Sequence, residues 1–210
     1  MGHMQNDLTI YTIGHSNHPI ERLLDLLGLH QIGALADVRS APYSRRNPQF
    51  NREALGQALA QREIRYVFLG KELGARTRDR SCYSDGKVVY ARLAATELFQ
   101  QGLSRLKAGA LEHRVAIMCA EKDPLDCHRT VLVARRLVAE GINVMHILDT
   151  GALETHAQAT ARLRQRLGVP ESDMFRSDEQ LADQAYEIQE QRIAYVEPVD
   201  GTGGATPSRA

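Results

Sequence analysis

The sequence has no apolar run approaching the ~20 residues needed to span a bilayer, and no secretory signal pattern opens it, so no membrane partner is expected. It has no internal repeat and no sustained heptad, which excludes solenoids and coiled coils. It has no net charge, so the overall field points to no class of partner. Cysteine is scarce and odd in number: Cys82, Cys119 and Cys127. That argues against a disulfide framework and for a reduced, cytoplasmic protein with free thiols. Nothing in the sequence sets an oligomeric state.

What is present suits one globular domain. The 210 residues are 43% hydrophobic, enough for a sizeable core. Residues 1–4 read as a cloning scar, residues 5–170 as the domain, and residues 171–210 as an acidic, partly disordered tail. Neutrality conceals an asymmetry. Between Arg39 and Arg80 ten Lys and Arg face four acids, a net of plus six. Between Glu171 and Asp200 nine acids face two Arg, a net of minus seven. The tail can be imagined folding back on the basic region as a mimic of an anionic ligand, so that cutting after Pro170 would strengthen polyanion binding.

Short apolar runs alternate with helical patterns. Leu8–Ile13, Gly33–Val38, Ile64–Leu69, Arg114–Cys119 and Ile142–Leu148 read as five strands. Helices are expected from Pro19, after an Asn51 cap, from about Val88 to Lys107, from about Asp126 to Glu140, and from about Leu153 to Leu167. A long loop from Gly70 to about Lys87, holding Cys82 as an incidental residue, has the length of a lid. The alternation predicts an α/β three-layer domain, with a mostly parallel five-stranded sheet and helices on both faces.

Ligands in such folds bind beyond the carboxyl ends of the strands. Polar and reactive residues lie at those ends. His15 and Ser16 follow the first strand, and Asp37, Arg39 and Ser40 close the second. Glu72 and Arg76 follow the third, and Cys119, Glu121, Cys127, His128 and Arg129 follow the fourth. His146 sits near the end of the fifth. Convergence of these segments on one edge is the expectation.

In order along the chain stand Thr12-Ile13-Gly14-His15-Ser16, Asp37-Val38-Arg39-Ser40, Pro42, Ser44-Arg45, Leu69-Gly70 and Glu72-Leu73-Gly74. Cys119-Ala120-Glu121, Pro124, Cys127-His128-Arg129 and His146-Ile147 follow. This series resembles domain-of-unknown-function family 488 from about Thr9 to Ile147. The family often has Gly where this chain has Ala75. The resemblance implies a single α/β domain and no particular activity.

The residues themselves leave three functions open. Cys127, expected in the first turn of a helix beside His128 and Arg129, has the setting of a stabilised thiolate. It does not fit a phosphatase loop, because Leu125 and Val133, not Arg, stand six positions after Cys119 and Cys127. The favoured reading is an enzyme, hydrolase-like or thiol-dependent, acting on a phosphate-bearing nucleotide or nucleic acid. Its catalytic groups would be His15, Asp37, Glu121, Cys127 and His128. Ser16, Arg39, Ser40, Ser44, Arg45, Glu72, Arg76 and Arg129 would bind substrate, since Arg forks and hydroxyls suit phosphate oxygens. The second reading is a non-catalytic nucleotide or nucleic-acid binding module, with Tyr43, Phe50, Tyr66 and Tyr83 among the arginines. The third is a metal or redox-sensing site, Zn or Fe held by Cys119, Cys127 and His128, although seven residues between the cysteines is not zinc-knuckle spacing.

Overall fold

A computed structural model describes residues 8–198. Its elements run in the order β1 (Thr9–Gly14), α1 (Ile20–Leu29), β2 (Ala34–Asp37), α2 (Arg52–Ala60), β3 (Arg65–Phe68) and α3 (Gly70–Leu73). A small hairpin of β4 (Tyr83–Ser84) and β5 (Lys87–Val88) precedes α4 (Tyr90–Ala94) and α5 (Glu97–Glu112). Then come β6 (Val115–Cys119), a π-helical segment (Arg129–Ala134), α6 (Arg135–Ala139), β7 (Asn143–Ile147), β8 (Leu153–Thr155), α7 (His156–Leu167) and α8 (Asp178–Ile193).

The main sheet has the order β3-β2-β6-β1-β7-β8. Its first five members are parallel and β8 is antiparallel to β7. The pleat divides the core in two. Tyr11, Ile13, Leu35, Ala116 and Met118 point to one face and meet Leu23, Leu26 and Leu27 of α1 and Leu55 and Leu59 of α2. Ile10, Ala34, Ala36, Val115 and Ile117 point to the other, against Phe99, Leu103, Leu132 and Leu163. Strands covered on both faces must be apolar throughout, which is why β2 and β6 read as uninterrupted runs.

The chain leaves β1 over one face to reach β2. It leaves β6 over the opposite face to reach β7. Adjacent strands whose connections part in this way leave a crevice at their carboxyl ends. Cys119, at the end of β6, pairs in register with Gly14 at the end of β1.

Several sequence expectations are corrected. The sheet has six strands, not five, because Leu153, Glu154 and Thr155 pair with β7. The last helix then starts at His156, behind a capping box formed by Thr155 and Gln158. The helix expected from Val88 is two, separated where Thr96 caps α5. Asn51 precedes α2 but does not cap it, since its side chain accepts the Ser44 N–H at 2.7 Å. The segment after residue 170 contains α8, which buries Leu181, Ala185, Tyr186 and Gln189. Asp178, Glu179 and Glu187 of α8 are exposed, so composition suggested a tail where a helix with a buried side forms. Residues 199–210 lie outside the described residues.

Candidate active site

The carboxyl ends of β2 and β6 frame a cavity of about 320 Å³. Arg39, Ser40, Tyr43, Arg76, Tyr90, Cys119, Glu121, Cys127, His128 and Tyr195 line it.

Arg39 forms one wall and is 6% exposed. Its Nε and Nη2 donate to the two Asp37 oxygens at 2.9 and 2.7 Å. Nη2 also donates to the Phe50 carbonyl at 2.8 Å. Nη1 lies 3.2 Å from His15 Nε2. Asp37 is fully buried and also accepts the Arg39 N–H and the Tyr66 hydroxyl. A buried charge is tolerable only when paired and bonded in this way. Burial works against the Arg39 charge, and the Asp37 bonds outweigh it and raise the pKa.

His15 is stacked on Phe50 and holds Ser16 O through Nδ1 at 2.7 Å. A carbonyl only accepts, so Nδ1 carries the proton and Nε2 accepts from Arg39. Burial, with the Arg39 charge, lowers its pKa to about 4, so it is neutral at pH 7. His15 packs behind Arg39 and does not line the cavity.

The floor holds three chemistry-bearing groups, all buried. His128 Nδ1 lies 3.6 Å from Cys119 Sγ and 3.8 Å from Cys127 Sγ. Its Nε2 donates to the Val38 carbonyl at 3.1 Å, which fixes the ring and turns Nδ1 toward the sulfurs. Cys127 precedes the helical segment instead of lying in its first turn. Its carbonyl accepts the N–H of Thr130 and Val131, and its sulfur accepts the Arg129 N–H at 3.4 Å. Burial opposes a Cys127 thiolate, but the Cys119 hydrogen bond and the Arg129 and His128 charges prevail and pull its pKa down. Cys119 is pushed up by its bond to Cys127 and by burial. Burial and the Cys127 charge also raise Glu121 at the cavity edge. The chain leaves this floor through a π-helical turn, a rare geometry frequent at functional sites.

The other sequence candidates fall elsewhere. Arg129 is fully buried and away from the cavity; it donates to the carbonyls of Glu121 and Lys122 at 2.7 and 3.2 Å and so ties down the loop after β6. Glu72 is paired with Arg105 of α5. The Ser44 hydroxyl is occupied by the N–H groups of Arg46 and Asn47. Arg45 is exposed and outside the cavity lining. Ser16 shapes the turn after β1, with φ of 51° and its N–H on Ala120 O. Ser40 lines the cavity and its hydroxyl accepts the Arg76 N–H at 2.9 Å. Arg76 is exposed at the mouth, its guanidinium 4.7 Å from the Tyr195 ring centre. The loop from Gly70 is not a free lid, since α3, the β4–β5 hairpin and a buried Cys82 anchor it. His146 belongs to a separate buried chain with Thr12 and His156.

Sequence reasoning missed Tyr90 and Tyr195 in the lining. Tyr90 opens a helix, and Tyr195 lies in the segment set aside as a tail.

A family model described as "Domain of unknown function DUF488" matches residues 19–136. Gly14, His15, Ser16 and His146 lie outside that span, and the whole Cys119–Arg129 segment lies inside it. No curated protein and no solved structure matches.

Proposed function

The chain belongs to the DUF488 family, whose description assigns no activity, and from the site alone we propose an enzyme acting on a phosphate-bearing substrate, a nucleotide or a nucleic-acid end. The observation that carries this is Arg39. Its fork is held by Asp37, Phe50 O and His15 through four of its five hydrogens, and the residue lines the cavity beside the Cys–Cys–His floor. A fixed guanidinium donor beside a reactive floor, even with its charge matched by Asp37, suits the oxygens of an anion better than an apolar ligand. Arg76 at the mouth adds an exposed cation, and Tyr43, also exposed, offers a ring for a base. Glu121, which lines the cavity beside the Cys–Cys–His floor, is placed for proton transfer at the substrate. Chemistry then takes place over Cys127 and His128.

Isothermal titration at low salt with nucleoside mono-, di- and triphosphates, pyrophosphate and short oligonucleotides tests the reading. At least one compound binds, and Arg39→Met weakens it about tenfold to a hundredfold, the range for a charge-assisted hydrogen bond of about 1.5–3 kcal/mol. Incubation followed by chromatography then reveals a product. Absence of binding throughout, or binding indifferent to Arg39→Met, overturns the proposal.

The exposed segment of Tyr43, Arg45 and Arg46 beside the cavity favours a second reading, a binding module for single-stranded nucleic acid. Oligonucleotide binding that falls steeply with salt and yields no product selects it.

A further inference from the structure

We infer that Cys119, Cys127 and His128 form a metal centre for a divalent, borderline-soft ion, Zn2+ foremost, at the floor of the cavity.

The three atoms lie within 4.8 Å of one another, and among the described residues no other His, Cys, Asp and Glu group does so. A tetrahedral ion with bonds of about 2.3 Å to sulfur and 2.0–2.1 Å to imidazole nitrogen sets sulfur and nitrogen about 3.6 Å apart. The observed separations are 3.6 and 3.8 Å. Hydrogen bonding alone explains the group poorly. With Nε2–H committed to Val38 O, Nδ1 has a single bonding direction, whether it carries a lone pair or a proton, yet two sulfurs face it at nearly equal distance. A cation at the centre satisfies all three atoms at once. Two thiolates and a neutral imidazole also cancel a dipositive charge, so the assembly can be buried at no net charge.

The outer contacts fit as well. A ligating histidine ordinarily donates its other ring N–H to a carbonyl or carboxylate, and His128 donates to Val38 O. The Arg129 N–H on Cys127 Sγ is the bond that a metal-bound thiolate accepts. Three protein ligands leave a tetrahedral ion one position, and all three residues line the cavity with Glu121 at its edge. That is the ligand count of a catalytic rather than a structural zinc site. The inference deepens the proposed function and rests on the cavity being where substrate binds.

The test uses the full chain, prepared without chelators or metal-affinity steps. Elemental analysis is expected to give about one metal ion per chain. Co2+ loading is expected to give tetrahedral visible bands with a thiolate charge-transfer band, a readout that needs no activity and no variant. Cys119→Ser, Cys127→Ser and His128→Gln each lower the affinity about tenfold or more, since even outer-partner losses cost that much. Cys82→Ala, which alters a buried cysteine outside the cluster, keeps the metal. Metal-free protein whose Co2+ titration shows only the aqueous ion overturns the inference, whether or not the variants fold. Titration of pyrophosphate into the same samples separates the two proposals. Arg39-dependent binding without metal sinks the metal centre alone. A metal centre with no phosphate binding sinks the substrate reading alone.

Discussion

A carboxylate with no exposed surface, three bonds to one arginine and a fourth from a phenol has few tolerable replacements. Asp37→Ala removes the partner of a buried guanidinium, and breaking a buried pair on one side costs about 3–5 kcal/mol. Urea unfolding is expected to show a loss in that range, together with weaker phosphate binding as Arg39 loses its fixed aim. A loss under about 1 kcal/mol would mean that Arg39 finds another anchor. Gly14 is constrained differently. A Cβ there would lie 1.9 Å from the Glu121 carbonyl oxygen, which is backbone and cannot rotate away. Gly14→Ala must push the loop after β6 and the Arg129 bonds that hold it. Overpacking of this kind costs about 1–3 kcal/mol, and each kcal/mol lowers Tm about 2–4 °C at this size. Calorimetry checks it; an unchanged Tm would show the loop to be pliant.

The individual elements differ in how openly the sequence declared them. β1, β2 and β6 were legible because burial on both faces makes a strand uniformly apolar. β8 was hidden because Leu153-Glu154-Thr155 is short and edge-exposed, and Thr155 ends a strand while capping a helix. The π-helical turn has no sequence signature at all. Cys119, Cys127 and His128 were identifiable as a group, but the commitment of Arg129 to two backbone carbonyls was not, because an arginine's partners depend on tertiary geometry. His146 was equally opaque. Thr12, His146, His156, Tyr186 and Thr160 form one buried hydrogen-bonded chain from β1 to α8. Thr160 donates to His156 O, so Tyr186 donates to Thr160, His156 Nε2 to Tyr186, and His146 Nε2 to His156 Nδ1. Every donor is matched only while both rings are neutral. Burial, then the Arg135 charge, lowers His156 from 6.5 to about 4. The neutral form is favoured by the fold, so its stabilisation is complete above pH 6.5 and declines as pH falls toward 4. A change of that size is worth about 3 kcal/mol once the pH is below 4. Urea midpoints at pH 7 and 4.5 are expected to fall further apart in the wild type than in His156→Gln. Equal differences in the two proteins would show that groups other than His156 set the acid sensitivity.

At the scale of the molecule, the basic middle and the acidic end are neighbours without being a matched pair. Among the described residues a single ion pair, Arg80 with Glu197, joins them, and Arg76 rests on Tyr195. Other acids of the end segment are used elsewhere: Asp183 by Arg135, Asp178 by Arg164, Glu190 by the Tyr90 N–H. Composition correctly located the charge but could not tell a screening tail from a structural helix, because what distinguishes them is the apolar stripe of Leu181, Ala185 and Tyr186 against α7. That stripe decides what truncation does. A chain ending at Pro170 loses the stripe, the Gln189 bond to Leu125 O, and Ile193 and Tyr195 from the cavity. It also leaves His156 without its Tyr186 partner. Each buried apolar side chain of this kind stabilises by about 1.5–3 kcal/mol, and a domain holds only about 5–15 kcal/mol in all. The truncated chain is therefore expected to be aggregated or largely unfolded by circular dichroism, not a tighter binder of polyanions. A soluble, cooperatively melting product that binds an oligonucleotide more strongly at low salt would restore the screening tail and demote α8 to a loosely held cover.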